Sequence, residues 1–91
     1  MAIGAQFAHR GFTPEKYADV VRRLEAAGHG KPAARIIHIA VEAKGNIEVF
    51  DIWESPESLE AFGSAFMPLL QDLGVELHPP TIHPVHKILK G

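Results

Sequence analysis

Two neighbouring segments in the middle of the chain are mostly hydrophobic, with few polar positions. Residues 35–41 (RIIHIAV) and 47–53 (IEVFDIW) are rich in β-branched and aromatic side chains, which favour strands. The link between them, Lys44-Gly45-Asn46, contains a glycine that tolerates the positive φ of a tight hairpin turn. The pattern therefore predicts a β-hairpin.

A helical spacing of apolar residues flanks the hairpin on both sides. Each of the two segments follows a hydroxyl residue and a proline, Thr13-Pro14 and Ser55-Pro56, which suit the N-cap and the first helical position. The predicted buried stripes are Tyr17, Val20, Val21 and Leu24 in the first helix and Leu59, Phe62, Phe66, Leu69, Leu70 and Leu73 in the second. Because Pro68 lies inside the second helix, we expect a kink or a break near residues 65–67.

Two further strands are predicted near the ends of the chain. Residues 1–9 form a strand with Ile3, Phe7 and His9 on one face and small residues on the other, and residues 81–89 form the last strand. Pro84 cannot donate a ladder hydrogen bond, which places this last strand at a sheet edge. The order β-α-β-β-α-β indicates an α+β, ferredoxin-like domain over residues 1–91, with both helices on one side of a four-stranded antiparallel sheet.

Two helices cover only one face of such a sheet. One face of the hairpin is almost wholly apolar, with Ile37, Ile39, Val41, Phe50 and Ile52. The other face is mixed, with Ile36, His38, Ala40, Ile47, Val49, Asp51 and Trp53. Five large apolar side chains left in water would forgo about 8–15 kcal/mol, which rivals the net stability of a domain. We therefore predict a twofold homodimer in which two sheets pack face to face.

Composition narrows the partners of the chain. The formal net charge is -2, so the basic footprint of a nucleic-acid-binding protein is missing. There is no cysteine for a disulfide or a thiolate zinc site, and no dinucleotide or phosphate-binding motif, so no cofactor is predicted. No apolar run approaches the roughly 20 residues of a membrane span. We expect a cytoplasmic protein without a nucleic-acid or membrane partner.

Histidine is the unusual feature of the composition, with six in 91 residues. A turn at Lys44-Gly45 places His38 opposite Asp51, and a turn at Gly45-Asn46 places it opposite Trp53; both keep the three side chains on one face. A carboxylate beside an imidazole fixes its tautomer, which is the arrangement of a general base. The more common interpretation is a structural hydrogen-bonded pair in the sheet or at a dimer interface.

The remaining histidines do not predict a metal site. His9 ends the first strand, and an antiparallel neighbour would bring His83 or His86 close to it. His83 and His86 fall on opposite strand faces, however, and no carboxylate motif accompanies them. The default for these side chains is exposure to solvent or to a dimer interface.

Residues 50–62 (FDIWESPESLEAF) resemble the signature of the dimeric α/β-barrel superfamily, in particular the antibiotic biosynthesis monooxygenases. In that family an aromatic-acid-x-Trp strand end leads into a Ser/Glu-rich cap and a helix. The order of elements is similar over nearly the whole chain. The resemblance implies a homodimer with a pocket in each protomer between helices and sheet. In some branches it also implies cofactor-independent oxygenation of polycyclic phenols, or breakdown of haem.

The chain departs from those oxygenase branches in its pocket residues. The branches are associated with an asparagine, a tryptophan and a basic residue, whereas the only asparagine here, Asn46, lies in the hairpin turn. Many relatives carry a histidine where Phe62 stands, and the second helix contains no His, Arg or Lys. Trp53 is the one residue with a counterpart.

Two hypotheses follow. In the first, a homodimer binds an aromatic or apolar small molecule in a pocket lined by Trp53 and Phe62, with His38, Asp51 and His86 at its polar end. It then acts as a cofactor-independent monooxygenase-like enzyme, in which His38 deprotonates a phenolic substrate and Trp53 stacks on it. In the second, it is a non-catalytic ligand-binding or assembly module with interfacial, pH-sensitive histidines. A cavity of roughly 300 Å³ or more at His38 and Trp53 would favour the first.

Overall fold

The computed structural model describes residues 1–91 and contains the predicted elements in the predicted order. They are β1 Ile3–Ala8, α1 Pro14–Ala26, β2 Arg35–Ala43, β3 Asn46–Trp53, α2 Pro56–Asp72 and β4 Thr81–Pro84. The strands form one antiparallel sheet in the order β2-β3-β1-β4. The predicted α+β, ferredoxin-like fold is confirmed. Neither helix combines the length and the apolar content that crossing a bilayer requires.

The hairpin between β2 and β3 fixes the relative position of the candidate site residues. It turns through Lys44 and Gly45, whose φ angles are 54° and 83°. Two successive positive φ angles give a two-residue turn that matches the twist of the flanking strands. The resulting register pairs His38 directly with Asp51, so the first of the two predicted registers is the one adopted.

Both helices begin at the predicted caps. Thr13 accepts a hydrogen bond from the Lys16 N–H at 3.3 Å, and Ser55 accepts one from the Ser58 N–H at 3.1 Å. A proline occupies the first turn in each case, where its missing donor leaves no bond unmade. Sequence-local chemistry alone therefore sets both helix starts.

The second helix does not break at its proline. The helix α2 continues through Pro68 to Asp72, so of the kink or break predicted near residues 65–67 the break does not occur. Pro68 removes one backbone donor, but both Pro68 and Ser64, whose carbonyl loses its partner, are exposed. Water can satisfy that carbonyl, and the apolar stripe on the opposite side keeps the helix on the sheet.

The last strand is shorter than the sequence predicts. It covers Thr81–Pro84 instead of residues 81–89, and it lies at the sheet edge beside β1, as Pro84 predicts. After Pro84, only the Val85 N–H still bonds the neighbouring segment, at 3.0 Å from the Ala2 carbonyl oxygen. The C-terminal residues therefore leave the sheet.

The core lies between the two helices and the mixed face of the hairpin, here called the covered face. The cluster of thirteen buried apolar residues comprises Ile3, Ala5, Phe7, Phe12, Val20, Leu24, Ile47, Val49, Trp53, Leu59, Phe66, Leu70 and Val75. The predicted apolar set Ile37, Ile39, Val41, Phe50 and Ile52 forms the opposite surface, here called the bare face. Ile39, Val41 and Phe50 are 49%, 41% and 39% exposed. The predicted uncovered apolar face is thus present.

Candidate functional site

A chain of hydrogen bonds crosses the covered face from α1 to β3. The Tyr17 hydroxyl lies 2.7 Å from His38 Nε2, and His38 Nδ1 lies 2.6 Å from Asp51 Oδ1. The second carboxylate oxygen, Asp51 Oδ2, accepts a bond from Trp53 Nε1–H at 3.3 Å. We call Tyr17, His38 and Asp51 the Tyr–His–Asp relay.

The proton positions in the relay follow from what each group can donate. A carboxylate only accepts, so His38 Nδ1 carries the hydrogen in its bond to Asp51. The other ring nitrogen of a neutral imidazole, Nε2, is then an acceptor, and the Tyr17 hydroxyl donates to it. The relay is therefore set to move a proton from Tyr17 onto His38.

Burial keeps the phenol of Tyr17 in this relay protonated. Asp51 is 3% exposed and Trp53 is 1% exposed. Burial raises the pKa of the Tyr17 phenol above its usual value; the Arg35 charge opposes this effect and the Asp51 charge adds to it. Tyr17 consequently remains a neutral donor near neutral pH.

A cavity of about 240 Å³ opens beside the relay, between α1, α2 and the sheet. Tyr17, His38 and Asp51 line it together with the apolar residues Phe7, Phe12, Val20, Val21, Leu24, Val49, Phe62 and Phe66. For scale, a protein cavity of about 150 Å³ holds benzene. The space thus fits one ring or two fused rings, and it is somewhat smaller than the roughly 300 Å³ expected of a ligand pocket.

Two basic residues and one glycine complete the lining: Lys31, Arg35 and Gly30. Arg35 begins β2 opposite Trp53, because the register shifts between Arg35 and Ile37. This irregularity puts Arg35, and not the predicted Ile36, opposite Trp53 on the covered face. Its Nη2 donates to the Gly30 carbonyl oxygen at 3.3 Å, and its guanidinium carbon lies 5.7 Å from the centre of the Phe62 ring. The cavity is therefore apolar within, with the relay and these cations as its polar groups.

Solved structures share this architecture. SnoaB from Streptomyces nogalater, described as a cofactor-independent oxygenase, superposes with a TM-score of 0.60 at 14% identity, covering 99% of this chain and 96% of that one. A Caulobacter crescentus protein classed with the antibiotic biosynthesis monooxygenases gives a TM-score of 0.55 at 18% identity, covering 97% and 89%. The fold is that of the antibiotic biosynthesis monooxygenase-like proteins. A Chloroflexus aurantiacus protein of the same class gives 0.53 at 16% identity, covering 99% and 97%.

This monooxygenase-like fold confirms the structural part of the resemblance predicted from residues 50–62. No protein-family model matches the chain, and no curated protein matches it. Identities of 14–18% establish a shared fold and nothing finer. The chemistry of this chain has to be argued from its own side chains.

The structure brings together three of the five residues predicted for the site. His38, Asp51 and Phe62 line the cavity. Trp53 lies behind it, with its ring centre 5.0 Å from that of Phe62 and its N–H on Asp51. This position makes Trp53 a support for Asp51, whereas the sequence-based hypothesis has it stacking on a substrate. His86 lines a separate depression on the bare face.

His9 is placed differently from the sequence-based expectation. The register of β4 puts His83 opposite Gly4, so neither His83 nor His86 lies beside His9, and that expectation is wrong. His9 is instead 2% exposed, and its Nδ1 accepts the His78 N–H at 3.1 Å. Its Nε2 is buried without a partner.

Sequence reasoning missed Tyr17, Lys31 and Arg35 as site residues. The helical stripe assigns Tyr17 to the core, and only its hydroxyl, in an otherwise aliphatic stripe, signals a polar contact. Lys31 lies in the loop between α1 and β2, and Arg35, which follows this loop, reaches the cavity by lying over the Phe62 ring of α2. No local pattern encodes that contact.

Proposed function

We propose that this chain forms a homodimer that binds an aromatic or apolar small molecule in the cavity and acts on it as a cofactor-independent monooxygenase-like enzyme. The observation that supports this proposal best is the Tyr–His–Asp relay at one end of an otherwise apolar, ring-sized space. SnoaB, described as a cofactor-independent oxygenase, shares the fold, which makes the activity compatible with the architecture. A cytoplasmic location remains part of the same proposal.

The relay would supply the proton transfer that such a reaction needs. A phenolic substrate places its hydroxyl against Tyr17, which accepts that proton while passing its own to His38 Nε2. Asp51 holds the imidazolium that results. The substrate anion then reacts with O₂: the ring C–H para to its oxygen becomes C=O, which gives a quinone. The second oxygen atom leaves as water, made with the ring hydrogen and the proton that His38 returns through Tyr17, so the substrate supplies the electrons. His38 thus acts through Tyr17, a refinement of the role predicted from the sequence.

The homodimer is proposed from the bare face. Ile39, Val41 and Phe50 present a contiguous apolar surface that neither helix covers. Full burial of a large apolar side chain is worth about 1.5–3 kcal/mol, so a second sheet is a favourable cover. Size-exclusion chromatography with light scattering should give the mass of a dimer at micromolar concentration. A stable monomer there contradicts this part of the proposal.

The ligand-binding part is tested by thermal-shift screening with one-ring and two-ring phenols. Binding should raise the melting temperature of the wild type and of His86→Ala, because His86 lies on the bare face. His38→Ala should lose this shift and any phenol-dependent uptake of O₂. Equal binding and turnover in His38→Ala would discard the site assignment.

A non-catalytic binding module is the second candidate. It is favoured by the fact that both ring nitrogens of His38 and both oxygens of Asp51 already have partners within the protein. Such satisfied networks are often structural. Phenols that shift the melting temperature without any consumption of O₂ would support this candidate over the enzyme.

A further inference from the structure

The arginines of this chain fall into two groups. Three of the four, Arg10, Arg22 and Arg23, are exposed, and each forms an ion pair with a carboxylate. Arg35 is partly buried and has no carboxylate within 4.0 Å. Solvation favours the opposite arrangement. Water already stabilises an exposed cation, whereas a buried cation loses that stabilisation and has the greater need of a counter-ion.

Asp51, the carboxylate that lines the cavity, does not neutralise Arg35. Both oxygens of Asp51 are engaged, one by His38 and the other by Trp53. Arg35 makes a single hydrogen bond to a neutral carbonyl oxygen, that of Gly30, and stacks over Phe62. Lys31 lines the same cavity and also has no carboxylate partner. The cavity therefore holds two cations whose charge the protein leaves uncompensated.

We propose that the ligand of this cavity is an anionic aromatic acid of one or two rings, whose carboxylate is bound by Arg35 and Lys31. The inference rests on the proposed function only in taking the cavity as a binding site. A guanidinium binds a carboxylate through two parallel hydrogen bonds, which suits Arg35 as the main anchor. The rings would pack against the apolar lining, chiefly Phe12, Phe62 and Phe66.

The carboxylate site and the relay line the same cavity. Arg35 pairs with Trp53 across the hairpin, and the Trp53 indole N–H bonds Asp51 of the relay. The Arg35 charge also lowers the pKa of the Tyr17 phenol, against the larger, raising effect of burial. A carboxylate bound at Arg35 would therefore hold the adjoining ring in the cavity that the relay lines. This anchoring would select acids over the neutral phenols of the same size.

The test compares a matched pair of probes, 2-naphthoate and its neutral analogue 2-naphthamide, by isothermal titration calorimetry. In the wild type the carboxylate should bind about tenfold or more tightly than the amide, the value of a charge-assisted bidentate pair. Arg35→Gln should reduce that ratio to about twofold, and Lys31→Gln should reduce it less, because Lys31 is exposed. Arg22→Gln is the matched control and should keep the ratio.

The outcomes separate this inference from the proposed function. Equal affinity for the two probes in the wild type, or a ratio that survives Arg35→Gln, overturns the anion site while leaving an aromatic-binding cavity. Binding of neither probe overturns both. If Arg35→Gln fails to fold, salt supplies the second measurement: added NaCl should weaken 2-naphthoate binding and leave 2-naphthamide binding unchanged. Identical salt responses for the two probes count against the site.

Discussion

The two faces of the sheet do not follow the simple rule that apolar side chains are buried and polar side chains are exposed. The bare face presents the exposed apolar side chains of Ile39, Val41 and Phe50, whereas the covered face holds the partly buried His38 and the buried Asp51. The difference lies in what the helices offer, since α1 carries Tyr17, whose hydroxyl satisfies His38. The helices therefore cover the strand face whose polar groups their own side chains can satisfy. The apolar face is left for a partner that is equally apolar.

The largest expected effect comes from removing the polar centre of the covered face. Asp51→Ala leaves two donors without acceptors, the partly buried His38 Nδ1–H and the buried Trp53 Nε1–H. Each unsatisfied donor costs about 1–3 kcal/mol, so the free energy of unfolding should fall by about 2–6 kcal/mol. Urea denaturation at pH 7 and a fixed protein concentration measures this loss.

Glu42→Ala is the matched control for that substitution. Glu42 pairs with Ile47 on the covered-face side of the hairpin, outside the proposed dimer interface, and it is exposed. Its loss should change the stability by no more than about 0.5 kcal/mol. If Asp51→Ala and Glu42→Ala are equally mild, the polar centre does not hold the covered face.

The next effect concerns association through the bare face. Phe50→Glu would bury a charge in the proposed sheet-to-sheet interface, and the dimer dissociation constant should rise by about 30-fold or more. Leu77→Glu is the control, because Leu77 is 41% exposed and Phe50 is 39% exposed, but Leu77 lies outside the sheet. Sedimentation equilibrium provides the constants, and a dimer unaffected by Phe50→Glu would mean that the apolar face is free.

Whether a feature of the two faces can be predicted from the sequence depends on how far apart along the chain the interacting residues lie. The pair of His38 and Asp51 was predictable because a two-residue turn sets the hairpin register, and the turn is local. Tyr17 joins them only through packing of α1 on β2, across 21 residues of sequence, and no periodicity fixes the rotation of α1 to that accuracy. Pro68 does not break α2, because packing of the helix on the sheet outweighs the loss of one backbone hydrogen bond.

The same limit applies to the choice of face. The apolar pattern on residues 37–52 shows that one face is left over, but not which one. The face that the helices cover is decided by the match of Tyr17, Phe62 and Phe66 to the mixed side of the hairpin, a property of three elements together. The cavity and its two cations also depend on several elements together, since the lining comes from both helices, three strands and the loop after α1.

A smaller effect tests whether the covered face keeps its phenol neutral. Tyr17 is the only tyrosine, so the tyrosinate absorbance band reports it alone. Because burial raises its pKa, the midpoint should lie above 10.0, and stability should fall as the pH rises past that value. Arg35→Gln removes a charge that lowers this pKa, so the midpoint should rise further. A midpoint at or below 10.0 would mean that the phenol is open to solvent.

The smallest effect concerns the other buried polar group on this side of the sheet. His9 differs from His38 because its Nε2 has no hydrogen-bond partner. The ionisable residues near it are His78, whose backbone N–H bonds His9 Nδ1, and Glu76, whose carboxylate contacts His78 and Arg10. Burial lowers the pKa of His9, and the His78 charge lowers it further, against a raising effect of the Glu76 backbone. As the pH falls below about 6.5, the unfolded chain therefore binds a proton before the folded chain does, and stability declines.

His9→Asn should remove this decline, because asparagine does not titrate and its amide oxygen takes the place of Nδ1 as an acceptor for the His78 N–H. Between pH 7 and pH 5, the wild type should lose up to about 1.4 kcal/mol per pH unit more than the variant, by urea denaturation. His29→Asn, in the exposed loop after α1, should behave as the wild type. Parallel stability curves for the wild type and His9→Asn would contradict this prediction. They would show that the covered face tolerates a charged imidazole at position 9, so that the lack of a partner at His9 Nε2 makes no difference to stability.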